Sequence, residues 1–491
     1  MTKTLLLAAL IAFVWCPAIV SAQSANKEEL NEDQLHEITI TPAAPARPAL
    51  QYRLYPDRLK MIDRNAALYY HRAVRSMQAT NAQIQRHNQK RPGGIPDLYD
   101  DYDAWMRVPL SEMPVDDMRE WLVLFQDVID EVERAALSRN CEWGILPDRG
   151  EDIDWVMLQL EEIQYMRSIN RMLGVAIRLA AHEGDFEKVT RYLQMGYKIA
   201  NDVATCGTLV SGLVGVACAN VMNEQLVMLV QLDGSPNFYW PLVDLPDPIC
   251  DMRSGARVEM GMLSSSASPF RLMQDPLNQS LSAAGWREAL SSDTEKMESY
   301  GVGAPLAGVG FFVIRAYPVA RQALLDAGFD RAQVDRMPVI QVVAAQQQRM
   351  NDMLTDEVLK TLHLPYAEML EQLDQYEGFL ETSSMVYPPS TKTNLLPFFE
   401  LLWPALPNVL HAEARTTRHM AALRTIEAIR AHAADTGVLP ESLQEIEVVP
   451  VPNNPATGQP FEYRLNRDGA ELLDYGFAKY SWNHFQIRLA Q

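Results

Sequence analysis

The sequence predicts a mainly α protein: an irregular, solenoid-like bundle of helical hairpins over residues 51–404, then a small α+β module over residues 405–491. Three observations predict it. Apolar residues recur at spacings of three and four through most of the chain, the period of one helix face. Short polar turns such as His182-Glu183-Gly184-Asp185 join successive helical segments, as in stacked hairpins. Behind a proline-rich loop near residue 450 the period changes from 3.6 to 2, the signature of strands.

Ahead of the helices, Lys3 precedes an apolar run from Leu5 to Val20, and Val20-Ser21-Ala22 supplies small residues before Gln23. These are the parts of an export signal, residues 1–22, so the expected mature protein begins at Gln23 in the periplasm or outside the cell. The run falls short of the roughly 20 residues that span a bilayer comfortably. Cys16 does not suggest a lipoprotein, because Phe13-Val14-Trp15 lacks the small residues expected before a lipidated cysteine. Residues 23–50 are rich in Asn, Glu, Gln, Ala and Pro and read as an unstructured leader. No later segment reads as a membrane span; the best, Leu306 to Ile314, is short and contains glycines.

With 48% hydrophobic and 22% charged residues, the whole chain is composed like a globular protein with a real core. Its formal net charge of −20 repels phosphate backbones and anionic headgroups, which argues against nucleic acid as a partner. Four cysteines survive processing: Cys141, Cys206, Cys218 and Cys250. An even number permits disulfides in an oxidising compartment, but buried free thiols are the expectation and at least one disulfide the alternative. Cys206 and Cys218 read as one helix, where twelve residues separate them by about 18 Å, too far to bridge. No pair has the spacing of zinc ligands.

The elements follow in order. A helix is expected over residues 114–138: Pro114 opens it, Asp116 and Asp117 suit its positive end, and Met118, Trp121, Leu122, Phe125, Val128, Ile129 and Val132 make its apolar face. Residues 152–182 and 186–203 form a hairpin. The segment from Thr208 to Val230, apolar with several Gly and Ala, reads as a buried helix packed closely on its neighbours. A proline-rich break over 236–248 precedes a helix at 249–264, and residues 265–304 are loose apart from a short helix near Trp286. Pro338 opens another helix, with Ile340, Val343, Ala344, Gln347, Met350 and Leu354 along one side. Leu364-Pro365-Tyr366 ends it and starts the next. The run from Ala180 to Ala200 has the turn and helix of a tetratricopeptide-like hairpin, but no second copy follows at a period near 34.

In the C-terminal module, Ala422, Ile426, Ile429 and Ala433 mark the face of a helix that stops at Gly437. Phe461, Tyr463 and Leu465 alternate as a strand, Asp468-Gly469 supplies a hairpin turn, and Glu471 to Tyr475 returns; a last strand covers Tyr480 to Arg488. The segments "ALRTIEAIRAHAADTGVLPESLQEI" and "PNNPATGQPFEYR" resemble the globular part of type II secretion pseudopilins. The methylated N-terminal helix of a pilus subunit is missing, so that role does not carry over. Asn454 stands before Pro455 where many such domains have Asp, which takes away the implied calcium site. Across the wider chain, "RNAALYYHRAV" (64–74), "NCEWGI" (140–145), "LVSGLVGVACANVM" (209–222), "AGFDRAQVDRMPVIQVV" (327–343) and "LHLPYAEML" (362–370) are similar to a family of uncharacterised exported helical proteins of planctomycete-type bacteria. That resemblance implies fold and location and no activity.

Candidate chemistry is thin. His411 and His419 flank Glu413 on one helix, but eight residues is a loose spacing for shared metal ligands, and they read as surface histidines. Asp97, Asp100, Asp101 and Asp103 cluster without the Gly and terminal Glu of an EF-hand loop. Glu151, Asp152 and Asp154 suit a helix N-terminus, and the adjacent Glu161 and Glu162 face different directions. Ser264, Ser265 and Ser266 do not sit in a nucleophile elbow. Neither a P-loop nor a dinucleotide fingerprint occurs. Cys141-Glu142-Trp143-Gly144 is either a reactive thiol or a packed corner, and without a defined His partner it reads as a corner. No catalytic, cofactor-binding or metal residue is assigned, and no cofactor is expected. The leading expectation is an exported binding or scaffold protein with a protein partner in the cell envelope. The alternatives are an enzyme whose residues meet only in three dimensions and an accessory of a secretion or envelope assembly.

Overall fold

The computed structural model describes residues 35–90, 103–144, 160–263, 271–299, 306–365, 367–369, 371–372, 405–474 and 483–490. In chain order these form β1 (Leu35–Ile40), β2 (Ile62–Asn65), α1 (Ala66–Lys90), α2 (Val115–Leu124), α3 (Gln126–Ala136), β3 (Ser138–Asn140), α4 (Leu160–His182), α5 (Phe186–Ala204), α6 (Leu209–Leu229), α7 (Arg253–Leu263), α8 (Ala283–Ser299), α9 (Leu306–Asp326), α10 (Val339–Thr361), α11 (Ala405–Thr436), β4 (Glu462–Asn466), β5 (Gly469–Asp474) and β6 (Asn483–Leu489), with single turns between some of them. The protein is mainly helical with a small sheet, as the hydrophobic period predicts. It divides into two compact units. Of the described residues, one takes in those up to 144, those from 160 to Gly255 and those from Ala412 on; the other takes in those from Ala256 to His411. The C-terminal module expected from residue 405 thus shares a unit with the first helices from Ala412 on, while its first residues, up to His411, belong to the other unit.

In the first of these units α4, α5 and α6 pack on one another. Asp185 starts α5 by accepting the Lys188 N–H at 3.0 Å, behind Gly184 at φ 72°. Thr208 and Ser211 form a reciprocal capping box on α6. The small residues of α6 let backbones approach: a Cβ at Gly215 would lie 2.6 Å from the carbonyl oxygen of Ala200. Asn170 of α4 is fully buried and donates to the carbonyls of Gly196 and Cys218, tying the three helices at one point. By length and composition α6 could cross a membrane, which corrects the expectation that no segment qualifies. Most of its apolar surface is covered by protein here.

The single helix expected over residues 114–138 is two, α2 and α3, meeting at Phe125 (φ −101°, ψ 13°). The break frees carbonyls, and the Thr80 hydroxyl of α1 donates to that of Leu124 at 3.4 Å. Trp121 and Phe125 are buried against each other, ring centroids 4.6 Å apart. Pro114 caps α2 from outside the helix.

The four-stranded sheet has the order β1-β6-β5-β4. β1 falls within the segment expected to be an unstructured leader. It pairs in parallel with β6, His36 opposite Phe485 and Ile40 opposite Leu489, and buries Ile38 and Ile40. The register places Tyr463 and Leu465 on one face of β4, as alternation predicts, with Phe461 just ahead of the strand. Burial fades along that edge strand, from Phe461 to a half-buried Tyr463 to an exposed Leu465. The hairpin loop is Arg467-Asp468, between the paired Asn466 and Gly469. Gly469, at φ 148°, is needed for a different reason than the turn: a Cβ there would lie 2.2 Å from the Ile487 carbonyl oxygen.

From Ala412 to Ala433, α11 is buried on nearly every side. It keeps Ala422, Ile426, Ile429 and Ala433 in the core and also carries charge inward. Arg430 is fully buried and donates to both oxygens of Glu427 at 2.9 Å and to the carbonyls of Thr41, Ser235 and Pro236 at 2.8, 3.0 and 3.2 Å. Arg418 pairs with Asp474 of β5 at 3.2 Å, both buried.

In the other unit α9 packs on α10, and Trp286 of α8 is buried. Asp293 accepts the N–H groups of Arg271 and Leu272 at 2.9 and 2.8 Å. Pro338 precedes α10, as expected.

Candidate functional site

A cavity of about 370 Å³ opens in the first unit, lined by the loop carrying Tyr55, Arg58 and Met61, by Arg139 and Cys141 at the end of β3, and by Lys198, Asn201, Asp202 and Thr205 of α5. Local structure sets each wall. The short parallel pairing of β2 and β3 aligns Asn65 with Asn140. The Asn65 side chain then holds Glu142 at both main-chain groups, accepting from its N–H and donating to its carbonyl at 2.9 Å each. This clamp fixes the Cys141 corner over α5. Beside it Trp143 stacks on Tyr70, rings 5.4 Å apart and nearly parallel, and its indole N–H donates to the main-chain oxygen of Asp202 at 2.9 Å.

The floor is charged. Lys198 and Asp202, one helical turn apart, form an ion pair whose side chains are 3% and 5% exposed. Tyr70 donates to the other carboxylate oxygen at 2.8 Å. Burial pushes the Asp202 carboxyl upward, and the Lys198 ammonium and Tyr70 hydroxyl oppose it. An ammonium has three N–H donors, and Lys198 uses one on Asp202. Tyr55 donates to Asn201 at 3.0 Å, and Asn201 donates to the Ile249 carbonyl at 2.9 Å. Burial pushes the Tyr55 hydroxyl up, as does Asp202, while Arg58 pulls it down. At the rim Arg139 donates to the Met61 carbonyl at 3.3 Å. Arg58 is exposed and engages no carboxylate among the described residues. The neighbouring Asp57 is paired with Arg53 at 3.0 Å.

Cys141 is the one residue singled out in the sequence that lines this cavity. Burial, reinforced by the Asp202 charge, pushes its thiol far up, so it stays protonated at neutral pH. The corner reading describes its surroundings. All four described cysteines are free thiols. Cys206 lies in the turn before α6 rather than in one helix with Cys218.

The other candidates do not assemble. His411 is buried rather than exposed, and His419 packs its ring 6.0 Å from Phe485 and 6.2 Å from His36. Burial lowers His419 to about 3. Glu413 accepts the Met252 N–H at 2.8 Å, and burial raises its carboxyl to about 7. Among the described residues no three His, Cys, Asp or Glu side chains are grouped to hold a metal ion. Asn454, in place of the Asp of a calcium site, donates to Asp474 at 3.3 Å. Asp97, Asp100, Asp101, Glu151, Asp152, Asp154, Ser264, Ser265 and Ser266 lie outside the described residues, as do the side chains of Asp103 and Glu161. Glu162 is half-buried on α4. Sequence reasoning missed Lys198 and Asp202. The available signal was two opposite charges at i and i+4 on the buried side of α5, between Leu193, Tyr197 and Val203.

No family model matches the chain, and neither the curated proteins nor the solved structures give a match.

Proposed function

We propose that the chain is an exported helical binding or scaffold protein of the cell envelope, and that the cavity under Cys141 seats a small polar ligand. The Lys198–Asp202 pair carries this reading. Buried ion pairs are weak devices for stability, because desolvation offsets their attraction. A pair that opens on a cavity, with ammonium donors that no described residue other than Asp202 takes up, has groups to offer a ligand. The volume of about 370 Å³ falls at the small end of ligand sites. Export rests on Lys3, the apolar run and Val20-Ser21-Ala22. The protonated Cys141 thiol favours binding over nucleophilic catalysis. A role beside a secretion assembly rests on the pseudopilin-like segment alone.

The test is native mass spectrometry of the full chain purified from envelope extract of its own host, with N-terminal sequencing. The expected result is a start at Gln23 and a retained small molecule that is lost in Lys198→Met. An intact Met1, or a ligand equally retained by the variant, refutes the respective part.

A further inference from the structure

We propose that the cavity binds a dianionic phosphomonoester, with Arg58 and Arg139 clasping the phosphate at the rim and Lys198 donating to it from the floor. This rests on the binding reading above and goes further by fixing the ligand's chemistry. Three cations and one carboxylate line the cavity. Asp202 cancels Lys198, so the two guanidiniums remain as an excess of two positive charges. That excess sits in a chain whose formal net charge is −20, so the cavity runs against the field of the whole molecule. A local excess that opposes the global charge suits an anion carrying two charges on one small group. Guanidinium forks match phosphate oxygens in pairs. Arg58 engages no carboxylate among the described residues, so a ligand displaces no internal partner from it. Arg139 is already tethered through the Met61 carbonyl, which holds it at the cavity edge. The spare N–H groups of Lys198 sit below, within an otherwise satisfied floor. A monoanionic carboxylate leaves one rim charge unmatched, and a cationic ligand faces two like charges.

The phosphate could belong to a free metabolite or to a lipid headgroup, and the test separates them. The full chain is titrated at low, fixed ionic strength with inorganic phosphate, glycerol 3-phosphate, acetate, and vesicles of neutral lipid with and without phosphatidic acid. Binding is read by calorimetry and by the fluorescence of Trp143, which touches both Tyr70 and Asp202; Trp143→Phe assigns the signal. Phosphate and glycerol 3-phosphate should bind and acetate should not. Arg58→Ala and Arg139→Ala, both at exposed positions and checked for an unchanged thermal melt, should each weaken binding about tenfold or more, the worth of a charge-assisted hydrogen bond. Binding confined to phosphatidic-acid vesicles, with the same arginine dependence, supports the headgroup source. Acetate binding as well as phosphate, or phosphate affinity unchanged in both arginine variants, overturns the proposal. If a non-phosphate molecule copurifies with the chain and depends on Lys198, the binding reading stands and this inference falls. If no probe binds and nothing copurifies, both fall.

Discussion

Replacing Arg430 by Met should be among the most damaging single changes in the protein, and its cost should depend on pH. The guanidinium has five close acceptors, the two Glu427 oxygens and three main-chain carbonyls, in a site with no solvent. Removing it leaves the Glu427 carboxylate, which is 1% exposed, without this counter-ion and held by the Phe238 N–H. Breaking a buried pair by deleting one partner costs roughly 3–5 kcal/mol. Proton uptake sets a ceiling on the carboxylate's share. Protonating a group with an ordinary value of 4.5 costs about 3 kcal/mol at pH 7 and about 0.7 kcal/mol at pH 5. Burial already raises the folded-state value of Glu427, and losing Arg430 raises it further. A buried acid with a raised folded value gains stability as pH falls through that value toward 4.5. The penalty of Arg430→Met relative to the parent should therefore shrink between pH 7 and pH 5, by at most about 2.7 kcal/mol less whatever the parent's own raised carboxyl gains over the same range. Urea denaturation of both proteins at the two pH values measures it. Adding Glu427→Gln should recover part of the loss at pH 7, with a coupling of roughly 1–3 kcal/mol. A pH-independent penalty, or strict additivity in the double variant, refutes the idea that a stranded carboxylate is the cause.

Three other outcomes follow from the same packing. Glu413, raised from 4.5 to about 7 by burial, penalises the fold above pH 7, and that penalty is relieved as pH falls from 7 to 4.5; Glu413→Gln should therefore stabilise by up to roughly 3 kcal/mol at pH 8 and by much less at pH 5 in thermal melts. Phe125→Ala should cost about 3–5 kcal/mol in urea denaturation, because the ring is fully enclosed against Trp121 at the α2–α3 break; a neutral result contradicts that packing. Gly215→Val should destabilise by more than a surface change, about 1–3 kcal/mol or higher, because its Cβ would meet the Ala200 backbone and neither helix can retreat; unchanged melting rules out that close approach.

What was legible in the chain depended on how one-sided each element is. α5 has polar and apolar sides, so its bounds came within a residue of 186–203. α6 revealed itself by Gly and Ala in an apolar run. α11 was found, but its surroundings were not, because a helix enclosed on all sides has no polar stripe and Glu427 and Arg430 look like surface residues. β1 was missed because "LHEITI" offers only three apolar positions amid a polar, proline-containing composition. The cavity was invisible for a different reason. Its walls come from residues 55–61, 139–141 and 198–205, which share no local pattern. Only the i, i+4 charge pair within a buried stretch pointed there.

The parallel pairing of β1 with β6 joins nearly the earliest and nearly the latest described residues to leave the ribosome. Between them every other described element must be made first. No partial product can finish this sheet, so β1 waits as an unpaired, partly apolar edge until β6 exists. Such edges recruit other chains, and contacts this distant in sequence form slowly. A product truncated before residue 483 lacks the strand that pairs with β1 and leaves the main-chain edge beside Ile38 and Ile40 unpaired.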